Sequence, residues 1–274
     1  MAPPNVQADA QQVFEVLKLG GTAICLVDVG YEIMTCNPSA LEKVFNTKKR
    51  GSHKRHAMIG SYAIHRSLHT MSPLHAEIVT SLTQDFDLPL GVIGKYEPDH
   101  PLITNIDDLT MEASSVGGTI SVLVNAGRFQ DELTKLTAEA GMPLLGSSAN
   151  LSGTGKISSF SVIDTFHIVN LKHPGTKYRV EDINKEILDI ADIVIDYGLL
   201  KWWIHGRSST LIDFSGPTLE VVRIGACYNT IKDLLKRHWG IELPNDPGMA
   251  SLPAGHMKVP PPLQSLERLV ASRS

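Results

Sequence analysis

Apolar runs of strand length alternate with helix-start signals along most of this chain. That alternation constrains it to an α/β or α+β scaffold built on a mixed sheet. Residues 22–27 (Thr-Ala-Ile-Cys-Leu-Val), 119–124 (Thr-Ile-Ser-Val-Leu-Val) and 193–195 are such runs. Residues 210–213 and 219–224 predict a strand pair across Ser215-Gly216-Pro217, and 143–145 predict a short buried strand. A helix is predicted over 9–18, where Val13, Phe14 and Leu17 share a face and Gly20-Gly21 ends the run. Two more follow Asn37-Pro38 and Ser72-Pro73, each a capping residue with proline in the first turn. Others are predicted over 130–140, 180–190 and 228–237. The folded unit is expected to span 1–243. Residues 244–274, with Pro244, Pro247, Pro253 and Pro260-Pro261-Pro262, read as an extended peripheral tail.

At 42% hydrophobic and 20% charged residues, the chain has enough apolar material for a buried core and too little charge for disorder. The net charge of -4 argues against a protein that simply coats nucleic acid, so any anion site must be local. The three cysteines (Cys25, Cys36, Cys227) form no CxxC pair, which fits a reducing, cytoplasmic setting better than a disulfide framework. No secretory leader and no apolar run of membrane-spanning length is read.

Three segments could carry chemistry. Lys48-Lys49-Arg50, followed by His53, Lys54, Arg55 and His56, lies at a helix end. It reads either as a solvated basic face or as a phosphate site of exposed cations. The loop 146–155 (Gly-Ser-Ser-Ala-Asn-Leu-Ser-Gly-Thr-Gly) is either a surface turn or a ligand loop, because small residues let a backbone approach an anion. Gly206-Arg-Ser-Ser-Thr210, with Arg223 further on, could bind phosphate or cap a turn. The loop 146–155 is not a P-loop, since GxxxxGK[ST] is missing, and no GxSxG elbow supports a hydrolase. The histidines show no metal-ligand spacing and read as mostly surface, with no metal site among the side chains.

These segments occur together in a recognisable order. Phe45-x-x-Lys48-x-Arg50, Pro143-Leu-Leu-Gly-Ser-Ser148-Ala-Asn150-Leu-Ser-Gly153, Gly206-x-Ser-Ser-Thr210-x-x-Asp213 and Val222-Arg223-x-Gly225-Ala226 resemble the YrdC-like family, whose best-known members are threonylcarbamoyl-AMP synthases. The resemblance covers roughly residues 12–237. It implies a twisted sheet of parallel and antiparallel strands, flanked by helices, with a concave basic face. It also implies a nucleotidyltransferase that converts ATP, bicarbonate and an amino acid, with Mg2+, into a carbamoyl-adenylate for tRNA modification. Lys48 and Arg50 match the family's KxR pair, and Ser148 and Asn150 its SxN pair; these four are the implied catalytic residues. Thr119, Ser209, Thr210 and Arg223 join them as implied nucleotide-binding residues. Asp28, Tyr31 and Arg128 are implied around the amino acid, although the proline expected two places after Arg128 is Gln130.

The family's PT[DE]TxYGL segment falls on residues 26–33. Asp28 and Tyr31 remain, Val27 and Val29 replace threonines, and Glu32 replaces glycine. Valine keeps a threonine's shape without its hydroxyl, so a hydrogen bond is lost. The phosphate half is therefore expected to be kept and the amino-acid half rewritten. Alternatives are a divergent enzyme using another amine and a catalytically silent module that binds nucleotide, double-stranded RNA or tRNA. No membrane partner is expected.

Overall fold

The computed structural model describes residues 5–49, 55–151, 177, 179–198, 207–248, 251–252 and 255–257. Strands β1 (Thr22–Val27) and β2 (Gly30–Thr35) form a hairpin whose two-residue turn is Asp28-Val29. The remaining strands are β3 (Ala57–Ile59), β4 (His69–Thr70), β5 (Leu90–Tyr96), β6 (Ser115–Val116), β7 (Thr119–Val124), β8 (Leu145–Ser148), β9 (Ile193–Ile195), β10 (Leu211–Asp213) and β11 (Glu220–Arg223). All join one sheet in the order β11-β10-β5-β7-β3-β8-β2-β1-β9, with β4 against β5 and β6 against β7. The pairings β1–β9, β5–β10 and β3–β7 are parallel, and the others antiparallel. The scaffold is thus α/β with a mixed sheet, as the patterning predicts.

The helices are α1 (Val6–Lys18), α2 (Pro38–Thr47), α3 (Tyr62–Leu68), α4 (Pro73–Thr80), α5 (Pro101–Thr104), α6 (Asp108–Ser114), α7 (Arg128–Glu139), α8 (Lys185–Leu188) and α9 (Tyr228–Trp239). Local chemistry sets their starts. Asn37 Oδ1 accepts from the Ala40 amide at 3.0 Å with Pro38 in the first turn, and Ser72 Oγ accepts from the His75 amide at 3.2 Å. Helix α1 buries Ala10, Val13 and Leu17 and packs against α7.

The sheet folds back on itself. The Asp28 amide donates to Ala126 O at 2.8 Å, although β8 and β3 lie between β2 and β7 in the strand order. Gly127 makes this approach possible. Its φ is +106°, and a Cβ there would lie 2.6 Å from Asp28 Oδ1. Cys25, Val27, Val29 and Met34 fill one apolar cluster with the interiors of β3, β5 and β7. Ile24, Leu26, Tyr31 and Ile33 fill another with Val44, Ile183 and Ile187.

Three expectations need correction. The strand placed at 143–145 begins at Leu145 and runs through Ser148, because β8 pairs with both β2 and β3 over those residues. The helix placed over 180–190 is only a 3-10 turn (Val180–Asp182) and a single helical turn, α8. The described residues after Leu243 do not lie apart, whereas 258–274 lie outside the described residues. Asp246 pairs with the buried Arg207 at 2.8 Å, Pro244 O accepts from Tyr228 Oη at 2.7 Å, and the Ile224 amide donates to Gly255 O at 2.7 Å along the edge of β11. Among the described residues no helix is long and apolar enough to cross a membrane.

Candidate functional site

Helix α2 ends at Lys48, the C-cap, and Lys49 turns the chain through a left-handed conformation (φ +49°). Lys48 is not the exposed cation that its place in a basic run predicts: only 1% of it is accessible. Its Nζ donates to Ser148 O and, at 2.7 Å, to Asn150 O, both about a hundred residues away. A buried ammonium is tolerated because it donates charge-assisted hydrogen bonds. The basic run and the small-residue loop therefore meet, with Lys48 as the link. Arg50 and the far part of the loop, Ser152 to Gly155, lie outside the described residues, as do His53, Lys54 and Gly206.

The loop is organised from within. Ser148 Oγ hydrogen-bonds Asn150 Oδ1 at 2.6 Å, and Asn150 Nδ2 donates to Leu151 O at 3.1 Å. The Ala149 amide donates to Tyr31 O at 2.8 Å and ties the loop to β2. The Tyr31 hydroxyl donates to Asp196 Oδ1, and burial first and that carboxylate second push its pKa up. Ser148 ends β8 directly opposite Glu32 of β2.

A second group gathers at the β11 edge of the sheet. Arg223 of β11 donates through Nε to Ser209 O at 2.9 Å and through one terminal nitrogen to Ser209 Oγ at 3.0 Å. Thr210 Oγ1 donates to Ala226 O at 2.8 Å and accepts from the Gly225 amide at 3.1 Å. Gly225 is required there, since a Cβ would lie 2.1 Å from Ser208 O. Ser209 thus holds Arg223 directly, and Thr210 holds the chain just after it at Gly225 and Ala226.

Glu32 connects the two groups. It is 4% exposed, and its Oε2 has no hydrogen-bond partner among the described residues. Burial raises its pKa to about 7, against the opposing pull of Arg223 and then Lys48. Burial likewise lowers Arg223 to about 10, with Glu32 pulling the other way. The folded-back sheet therefore brings Lys48, Arg223, Ser148, Asn150 and Glu32 into one electrostatic unit.

Other expected site residues fall elsewhere. Thr119 Oγ1 donates to Val116 O at 2.7 Å, and Arg128 is exposed at the start of α7. Asp28 sits in the hairpin turn against Gly127, one residue from Arg128. Gln130, at the family's proline position, is buried and donates to Gly60 O at 2.6 Å and Leu123 O at 3.0 Å, which a proline could not do. The histidines are a correction: His56, His65, His69 and His75 are all buried. His65 Nδ1 contacts His69 Nδ1 at 2.9 Å, and His69 Nε2 faces Ile120 O at 3.2 Å. Glu32 is the functional candidate that sequence reasoning missed. Its only signal was a carboxylate at a position where the resembled family has glycine. Among the described residues no group of three or more His, Cys, Asp or Glu could hold a metal ion. A cleft of about 480 Å³ beside Thr70, His75, Lys95 and Phe214 shares no residue with the cluster.

No family model matches this chain, and no curated protein matches it. Solved structures do. A hypothetical protein, smu.1377c, from Streptococcus mutans UA159 superposes with a TM-score of 0.66 at 21% identity, covering 85% of this chain and 92% of its own. P. abyssi Sua5, complexed with L-threonine, gives 0.62 at 14% identity over 97% of this chain and 72% of its own. E. coli YciO gives 0.58 at 17% identity, covering 80% and 90%. The architecture is a folded-back mixed sheet flanked by helices, with a lysine-clasped Ser-x-Asn loop on its inner face. The chain has the YrdC-like fold shared with Sua5 and YciO.

Proposed function

We propose that this chain is a nucleotidyltransferase that uses ATP to activate a carbamate as a carbamoyl-adenylate. The observation that supports this reading most strongly is the clasp of Lys48 on the Ser148–Asn150 loop, with Arg223 in electrostatic reach. Cations and polar donors fixed before the reaction stabilise charge that develops on phosphate oxygens, because no reorganisation is needed as it appears. In the proposed step an amine adds to CO2, supplied by bicarbonate, and loses a proton to give a carbamate. A carbamate oxygen attacks the α-phosphorus of ATP, the bond to the bridging oxygen breaks, and pyrophosphate leaves with its negative charge. Lys48 would hold the loop in place, Ser148 and Asn150 would offer donors to the phosphates, and Arg223, held by Ser209, would bind the departing charge. Arg50 would supplement Lys48. Mg2+ would arrive on the nucleotide, since the described residues offer no carboxylate cage for it.

The amine is proposed to differ from threonine. Val27 and Val29 are buried within the apolar cluster and offer no hydroxyl where the resembled family has two. A site that hydrogen-bonds a polar group discriminates strongly, so removing its partners shifts specificity. The test is pyrophosphate release from ATP and bicarbonate with each amino acid supplied separately. Release with an amine other than threonine is expected. Release only with threonine would overturn the specificity. No release with any amine, together with RNA binding that weakens steeply with salt, would replace the enzyme with a binding module.

A further inference from the structure

Glu32 places a negative charge where the nucleotide reading needs positive potential. Glu32 is 4% exposed, lies opposite Ser148 in register, and has no hydrogen-bond partner for Oε2 among the described residues. The charged and titratable groups that act on it are Arg223 from β11, Lys48 from α2 and the buried Cys25 thiol across the hairpin. We propose that Glu32 is a proton-linked counter-ion of the phosphate site: a triphosphate held at the Ser148–Asn150 loop, within the field of Lys48 and Arg223, displaces its charge, and Glu32 takes up one proton from solvent as the nucleotide binds. This rests on the nucleotide reading above and deepens it.

Glu32 stands opposite Ser148, whose carbonyl Lys48 holds, so the carboxylate partly neutralises the cations in its electrostatic reach. A polyanion competes for the same field, and it raises the cost of keeping Glu32 ionised. Protonation removes the repulsion and turns the orphaned Oε2 into an O–H donor, for which a phosphate oxygen is the natural acceptor. The proton balance is simple: carboxylate plus one solvent proton gives carboxylic acid, and no other bond changes. Nucleotide affinity should therefore fall as pH rises above the range in which free Glu32 titrates, about 7.

The experiment is calorimetric titration of ATP, with and without Mg2+, into the full chain and into Glu32→Gln at pH 7.5 and 8.5. Buffers of different ionisation enthalpy give the proton count. MgATP is fully ionised over this range and gives the protein's proton count directly, whereas free ATP keeps a small fraction of its last phosphate proton at pH 7.5, which is subtracted. The parent should take up roughly 0.9 proton at pH 8 and lose about eightfold in affinity from pH 7.5 to 8.5. Glu32→Gln should show no uptake, no pH dependence and at least tenfold tighter binding at pH 8.5. Proton-silent binding by the parent would overturn the inference while leaving the nucleotide site intact. Weaker MgATP binding by Glu32→Gln would overturn it in favour of a metal-ligand role. Absence of ATP binding by both proteins would remove the nucleotide site and the inference with it. Thermal melts confirm that the variant is folded; should it not fold, the parent's proton count decides alone.

Discussion

Replacing Lys48 by methionine should destabilise the fold as well as the site. The side chains are of similar length, so the change removes the ammonium and little volume. Two carbonyls, Ser148 O and Asn150 O, would lose a charged donor. A buried acceptor left unsatisfied costs about 1–3 kcal/mol, so the two carbonyls together cost about 2–6 kcal/mol. Loss of the buried charge itself returns part of this, so a net cost of about 3–4 kcal/mol is expected. For a domain of this size, each kcal/mol lowers Tm by roughly 2–4 °C, which gives a drop of about 6–16 °C. Differential scanning fluorimetry measures that drop, and urea denaturation measures the free energy. The substitution also removes one of the two cations that oppose the upward shift of Glu32, so that carboxyl should titrate above 7. A variant that melts within 2 °C of the parent would refute the clasp, because Lys48 would then be bonded mainly to water.

Gly225→Ala should cost more than an ordinary glycine-to-alanine change. The new methyl would lie 2.1 Å from Ser208 O and must push apart the strand-edge contact that positions Arg223. A loss of about 2–4 kcal/mol by urea denaturation is expected, and a loss under 1 kcal/mol would show that this edge yields easily. Acid stability should depend on His65 and His69. Burial pushes them down to about 3 and about 4, so the unfolded chain binds protons from 6.5 downward while the folded chain does not. Their contribution is full above about pH 7 and is lost as pH falls from 6.5 towards those folded values, by about 2 kcal/mol for each at pH 5. Urea denaturation at pH 7.5 and 5.0 should show a smaller acid loss in the His65→Gln, His69→Gln double variant. Equal losses in the two proteins would mean that the pair is already charged.

Elements governed by local chemistry were legible in the sequence. Helices α2 and α4 follow from a capping residue plus proline, and β7 follows from a run of β-branched and aliphatic residues broken only by Ser121. Strand β2 was missed because Gly30, Tyr31 and Glu32 give it a polar appearance, yet every residue of it is buried by neighbours distant in sequence. Strand β5 carries Gly91, which weakens local strand propensity but lets the Leu211 side chain and Thr210 O pack closely, since a Cβ there would lie 2.7 Å from Leu211 Cδ1 and 3.2 Å from Thr210 O. The meeting of the basic run with the small-residue loop was legible through the family resemblance. The burial of Lys48 was not, because its acceptors are backbone carbonyls, and any sequence supplies those. The buried histidines were misread for a similar reason: His75 meets Phe214 O at 3.0 Å and packs edge-on against the Phe214 ring, a partner 139 residues away.

The same reasoning explains why the departures from the family pattern belong together. Val27, Val29 and Glu32 sit on one hairpin, with Cys25 opposite Glu32, and the hairpin leans over the end of β7 through Asp28. Valines in place of threonines make that inner face more apolar. An apolar surround is what holds a carboxyl at Glu32 well above its ordinary range while two cations pull it down. With more hydroxyls nearby the carboxylate would be better solvated and would ionise at lower pH. Then it would cancel the field of Lys48 and Arg223 permanently, and not only when the site is empty. On this view the loss of the hydroxyls and the gain of the acid are one change in the electrostatics of the site: the valines keep Glu32 close to neutrality, so that a phosphate can tip it.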